Sequence, residues 1–323
     1  MTHLLAPAAR GRRSRVAGRV AARLGSALLV VWLASTLAFF AVHAAPGDIV
    51  RVLIGTGPDT PEVRAAVSAR WGLDQSLGQQ YIEFLRRLLS GDLGESFVLR
   101  RPVTDVIGDE ILPTVQLAGA ASALALLAAT AISVATAGRR LRRRVAGSVE
   151  LTLVSVPDFW LGLMLLFLFS FTLPWFPVAG ASGASSLVLP AIALGAPIAG
   201  VLSQLMRQGL EEALDQPFAT TVRARGVSDL RLRLGHGLRH AALPVVNLGG
   251  WIFASLLGGA VIVEQVFGRP GLGRLILSAV QGRDVPLVVG IALMSSIAYV
   301  ACNTLADLVS WWIDPRLRNP VPA

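Results

Sequence analysis

Apolar residues fall in long windows almost without charge, separated by segments where arginine, aspartate and glutamate gather. Crossing about 30 Å of hydrocarbon takes roughly 20 mostly apolar residues in a helix. Six windows of that size occur: Leu24 to about Ala45, a second within Ile111 to Gly138, Glu150 to about Leu173, about Leu187 to Met206, Pro244 to Val263, and Val285 to about Trp312. Lipid offers no partner for backbone polar groups, and spans of this length suit helices better than ten-residue barrel strands. The pattern therefore predicts an all-α, polytopic membrane protein with six transmembrane helices. The run LPWFPVAGASGASS at 173–186 turns the chain after the third window, and Trp311 and Trp312 are interfacial aromatics at the end of the sixth.

An even number of spans puts both termini on one side, and arginine placement says which. The leader 1–23 carries Arg10, Arg12, Arg13, Arg15, Arg19 and Arg23; RRLRRR fills 139–144; the 207–243 loop and the tail, with Arg316 and Arg318, are also basic. All four lie on one face if the spans alternate, and the positive-inside rule makes that face cytoplasmic. The leader has the charge of a signal peptide, but the apolar core behind it is too long for one and more spans follow, so 24–45 is read as a retained helix. Residues 46–110 are too charged to span, show helical patterning around Gln79–Leu89, and are expected to form an extracytoplasmic subdomain. The remaining division is a five-helix core over 111–318, with 319–323 as a tail.

Composition sharpens this. The chain has 323 residues, of which 54% are hydrophobic and 15% charged, and its mean hydropathy is +0.62. Soluble domains carry about 25% charged residues. All 29 basic residues are arginine, so no lysine exists to complete a Walker A phosphate loop. A net charge of +9 interleaved with apolar spans fits loops facing anionic lipid, and nucleic acid is not an expected partner. Cys302 is the one cysteine, too few for an internal disulfide or a thiolate cluster.

The loop between the fourth and fifth windows, residues 207–244, is far longer than a turn requires. Glu211–Gln216 continue a helix, Pro217 starts another, and Gly226 breaks it after Arg225. Ser228 is placed to cap a second short helix, with Asp229 at its positive end. In that helix Leu230, Leu234, Leu238 and Ala242 form an apolar stripe, Arg231, Arg233 and Arg239 lie off it, and Pro244 ends the unit. Such a helix either rests on lipid headgroups or docks a cytoplasmic partner, passing its motion to the fifth span.

At this point the chain resembles a family. ARG at 224–226 followed by LP at 243–244 is similar to the EAA loop of permease subunits in binding-protein-dependent ABC importers. HAAPGD (43–48), WGLDQS (71–76), GDLGESF (91–97), SVPDFWLGL (155–163), GGAVIVEQVFGRPGLGRL (258–275) and IDPRLR (313–318) resemble its dipeptide, oligopeptide and nickel branch. The resemblance implies the importer permease fold in a bacterial inner membrane and no enzymatic chemistry or cofactor in this chain. It also implies a second homologous permease, two ATPase subunits that bind ATP and Mg, and an extracytoplasmic solute-binding protein. Peptides are the implied cargo, nickel or another small solute the alternative. The ATPase-docking role carries over to Phe218, Arg223, Ala224, Arg225, Gly226, Ser228, Leu243 and Pro244. Thr220 stands where the family pattern has an arginine, and Arg225 where it has a lysine.

Other readings have less behind them. A secondary transporter or channel needs ion-coupling charges near mid-bilayer and no docking loop. An intramembrane enzyme needs a motif such as HExxH or GxSxG, and neither occurs. His236 and His240 have i, i+4 spacing without a third ligand or a base, and GRPGLG at 268–273 lacks the strand and helix of a phosphate site. Charges near the spans are Asp158, Arg207, Glu264 and Asp307. Arg207 and Glu264 are expected to reach the interface from span ends, while Asp158 either bonds backbone groups freed by Pro157 or acts on substrate. Gly249, Gly250, Gly258 and Gly259 permit close packing or line a path. Asp158, Gly258 and Gly259 are the candidates for a translocation path.

Overall fold

The structure, a computed structural model, describes residues 8–44, 47–55 and 57–313. Arg316 and Arg318, IDPRLR beyond Ile313, and Ala45 and Pro46 of HAAPGD lie outside the described residues. Those described are mostly helical, with one isolated bridge between Glu95 and Pro102. The helices are α1 (Ala8–Ala44), α2 (Ile49–Ile54), α3 (Pro61–Trp71), α4 (Leu77–Leu89), α5 (Val103–Thr136), α6 (Arg140–Ser155), α7 (Asp158–Leu166), α8 (Ser185–Leu214), α9 (Pro217–Ala224), α10 (Asp229–Leu232), α11 (Leu238–Asn247), α12 (Gly249–Val266), α13 (Leu272–Gln281) and α14 (Val285–Ile313). Two π-helical turns, Phe167–Thr172 and Arg233–Gly237, extend α7 and α10.

By length and apolarity, Val103–Thr136, Ser185–Leu214 and Val285–Ser310 are each able to cross a membrane. Gly25–Ala41 and Trp251–Val266, in the first and fifth windows, are shorter apolar stretches. The third window differs from its expected single span: α6 and the α7 segment meet at a 100° bend. Pro157 is the cause, because the residue before a proline is pushed out of the helical region, and Val156 is extended at φ −83°, ψ 127°. The RRLRRR run is mostly not a turn either. The chain reverses at Gly138, and Arg140–Arg144 open α6.

The chain divides into two compact units, one of residues up to Thr104 with Ala279–Val300, the other of Asp105–Ser278 with residues from Ala301 onward. In the first, local signals set the short helices. Asp48 caps α2 by accepting from the Val50 and Arg51 N–H groups, Thr60 and Pro61 start α3, and Ser76 with Gln79 forms a capping box on α4. Buried Asp284 ties the 96–98 loop to the start of α14: it accepts from the Ser96 hydroxyl and from the N–H groups of Phe97 (3.0 Å), Val98 (3.1 Å) and Leu287 (3.3 Å). Replacing Asp284 with alanine leaves buried donors without an acceptor and is expected to cost about 3 kcal/mol. Hydrogen exchange should quicken at Phe97 and Val98, and less so in Asp284→Asn, whose amide oxygen still accepts; unchanged exchange in the alanine variant would refute the tie.

The second unit is built around α8. Leu194, Ile198 and Leu202 on α8 share an apolar core with Leu117, Ala121, Ala125 and Ala129 of α5, Leu166 of α7, and Val263 and Phe267 at the end of α12. The four-residue spacing of the α5 positions gives one face, and its alanines let the helices approach closely.

Candidate functional site

The 207–244 segment is continuous with the core. Helix α8 runs eight residues past its expected end at Met206 to Leu214, and Pro217 opens α9 at the first helical position, where its missing N–H is harmless. Gly226 closes α9 at φ +79°, with its N–H on the Arg223 carbonyl (2.9 Å) and the Val227 N–H on that of Val222 (3.4 Å). No atom lies within 4 Å of where a Cβ at Gly226 would stand, so the glycine is required by its backbone torsion rather than by crowding. Ser228 holds the N-cap position of α10 in an extended conformation but makes no side-chain cap bond. Asp229 follows it and pairs with Arg233 (2.8 Å) and Arg223 (3.7 Å).

Arg233, expected off the apolar stripe and so toward solvent, is buried. Its Nη1 donates to the carbonyls of Val134 (2.8 Å) and Ala137 (2.9 Å) at the C-terminal end of α5, where unpaired carbonyls and the helix dipole favour a cation. The stripe itself is displaced. Leu230 and Leu234 are 59% and 48% exposed, and the buried face is Leu232, Arg233, Gly237, Ala241 and Val245. The buried positions Arg233, Gly237, Ala241 and Val245 still recur every four residues, but in a register one residue earlier than Leu234 and Leu238. Gly237 packs on Leu210, and Ala241 lies on Gly209, 3.0 Å from where that residue's Cβ would stand. Glu211 of α8 accepts from the Gly138 N–H (3.0 Å) and from Arg143 (3.2 Å). The loop is thus fastened to the ends of both α5 and α8. Pro244 lies inside α11 rather than at its end, and the break before α12 falls at Leu248.

Of the docking candidates, Arg223, Ala224, Arg225, Gly226 and Ser228 are exposed together around the α9–α10 turn. Phe218 is half-buried and stacks on His240 at 5.4 Å, and Pro244 is half-buried further along, in α11. Leu243 is within α11, its side chain outside the described set.

Two charges expected at the interface are buried instead. Arg207 forms a two-point pair with Glu150, Nη1 to Oε1 at 2.7 Å and Nη2 to Oε2 at 2.6 Å, joined by the Ser203 hydroxyl on Glu150 (2.8 Å) and by Thr136 (3.3 Å). Glu264 accepts from the Thr114 hydroxyl (2.7 Å) and the Arg274 N–H (3.0 Å), and the unforeseen α13 begins at Leu272, inside the GRPGLG run. Asp158 is half-buried at the start of α7. It lies against Gly259: a Cβ there would come within 2.8 Å of Asp158 Oδ2 and 2.6 Å of Leu194 Cδ2. Gly258 is exposed, with open space at its Cβ position.

Comparison with known proteins decides what kind of protein carries this arrangement. Residues 97–319 match the family described as the binding-protein-dependent transport system inner membrane component, and residues 19–118 match that system's membrane-component N-terminal family. The chain belongs to this family. The glutathione transport system permease protein GsiC of Salmonella choleraesuis (strain SC-B67) is 37% identical over 298 residues, covering 92% of this chain and 97% of that protein. Its counterpart from Escherichia coli (strain K12) is 35% identical over the same length and coverage. This permease is therefore a transport subunit of an ABC importer, of the dipeptide, oligopeptide and nickel branch, and an inner-membrane component of a bacterial cell.

Proposed function

We propose that this permease moves di- or oligopeptides handed over by an extracytoplasmic binding protein, paired with a second permease and driven by two ATPases that bind the ATP and Mg. Glutathione, the solute in the relatives' names, is itself a tripeptide, which supports peptide-like cargo over a metal ion. In this reading the chain crosses the membrane six times with both termini cytoplasmic, and the α9–α10 turn enters a cleft on an ATPase. The carrying observation is mechanical: an exposed turn at Arg223–Gly226 is joined through buried Arg233 to the end of α5 and through Gly237 to α8. A displacement imposed on that turn reaches two core helices without passing through a flexible linker. Asp158, Gly258 and Gly259 are assigned to the path the substrate takes.

The test is Gly226→Val in the complete assembly reconstituted in proteoliposomes. A β-branched residue opposes the left-handed torsion, so peptide uptake should fall about tenfold while the second permease still co-purifies. Uptake at the wild-type rate would remove the coupling role, and ATP hydrolysis by the isolated chain would contradict the division of labour.

A further inference from the structure

Glu150, Asp158 and Glu264 lie in or at the ends of apolar segments of the second unit, and they differ in one respect. Glu150 is saturated by Arg207 and Ser203, and Glu264 accepts from Thr114 and the Arg274 N–H. Asp158 has neither kind of support. Among the described residues no hydroxyl, N–H or guanidinium donates to its carboxylate, and it makes no cap bond to its own helix. Asp48 shows the contrast, since as a helix-starting aspartate it accepts two backbone N–H groups and pairs with Arg64.

A half-buried carboxylate in an apolar segment without a donor is costly, and in membrane proteins such groups face a cavity or a pathway rather than lipid. The surroundings of Asp158 agree. It stands where Pro157 breaks the third segment by 100°, so no helical turn precedes it on the α7 axis. Across from it, α12 presents Gly259, where any side chain would collide with Oδ2, and then exposed Gly258 with nothing within 4 Å of its Cβ position. The carboxylate is therefore seated against α12 at a position that only glycine permits, and Gly258, about 100° further round the helix, is exposed on the adjoining face. A carboxylate seated so, with no protein donor among the described residues, suits a small cation bearing N–H donors.

We propose that Asp158 receives the free ammonium group of the transported peptide during its passage, which makes it a specificity-determining residue of the path. The proposal rests on the peptide reading above. A single charge-assisted hydrogen bond suits this role, because a group in transit must be held well enough to enter and loosely enough to leave. Gly259 is its positioning residue, for Gly259→Ala would push the carboxylate off α12.

The experiment uses the complete assembly reconstituted in proteoliposomes and has two arms. In the transport arm, uptake of a dipeptide with a free N-terminus should fall about tenfold in Asp158→Asn and recover in part in Asp158→Glu. Each rate is taken at saturating loaded binding protein, so that selection at that earlier step does not enter. In the access arm, a Cys302→Ala background carries Asp158→Cys as the sole thiol of this chain, and a membrane-impermeant maleimide is the probe. Reaction from the aqueous phase places the position on a polar path, and no reaction in any nucleotide state overturns the proposal. Uptake by Asp158→Asn at the wild-type rate would overturn it too. Loss of the second permease from Asp158→Asn on purification would instead give the carboxylate to a subunit contact and also overturn it. Failure of the unmodified assembly to take up any peptide would refute the peptide reading itself, a separate result.

Discussion

Alanine in place of Arg207 is expected to destabilise the permease by about 3–5 kcal/mol, the range for removing one member of a buried pair. The reason is what remains: Glu150, 1% exposed, would lose the guanidinium that accounts for two of its hydrogen bonds. Thermal unfolding of the detergent-purified assembly measures this, and α6 should come away from α8 first because the pair joins those two helices. A double variant, Glu150→Leu with Arg207→Met, removes both charges and keeps much of the volume, so most of the loss should be recovered. If Arg207→Ala unfolds at the wild-type temperature, the pair contributes no cohesion. If the double variant is as weak as the single one, packing rather than the stranded charge sets the cost.

Arg233→Ala should have the largest effect on transport. Arg233 is the buried link that joins the α9–α10 turn, through Asp229, to the carbonyls of Val134 and Ala137. Without it the end of α5 loses its cation and the turn its anchor, at a cost of about 2–3 kcal/mol from charge-assisted bonds. The expected result is that ATPase subunits still co-purify and hydrolyse ATP while peptide uptake falls about a hundredfold, a separation of hydrolysis from movement. Arg233→Lys keeps the charge but not the two-carbonyl geometry and should recover only part. Equal losses of hydrolysis and uptake would point to failed docking instead.

How much of this is legible in the sequence depends on the range of the interaction. Windows almost without charge locate the apolar segments, since hydropathy is local. The Gly226 break is readable because a helix stop is written in the residue that adopts the left-handed torsion. The Glu150–Arg207 pair is not, because 57 residues separate partners that meet only after α6 and α8 pack. Arg233 is hidden for a related reason. The leucines and the buried positions both recur every four residues, and contacts with Val134, Ala137 and Leu210, distant in the chain, select the register that starts at Arg233. In the third window the proline is visible, but the size of the bend is fixed by what α7 packs against, chiefly α8 and α12.

The interruption at Val156–Pro157 also constrains what can surround this subunit. A helix end exposes four carbonyls and a helix start four N–H groups, and hydrocarbon satisfies none of them. The Thr152 and Ser155 hydroxyls bond carbonyls already inside the α6 ladder, at Ser148 and Leu151, so at the broken end of α6 the Thr152 carbonyl takes the Val156 N–H while the carbonyls after it gain nothing from those hydroxyls. The opening amides of α7 receive no side-chain cap bond from Pro157. Bare acyl chains are therefore an unsuitable neighbour for this elbow, which calls for hydration or for another polypeptide laid against it.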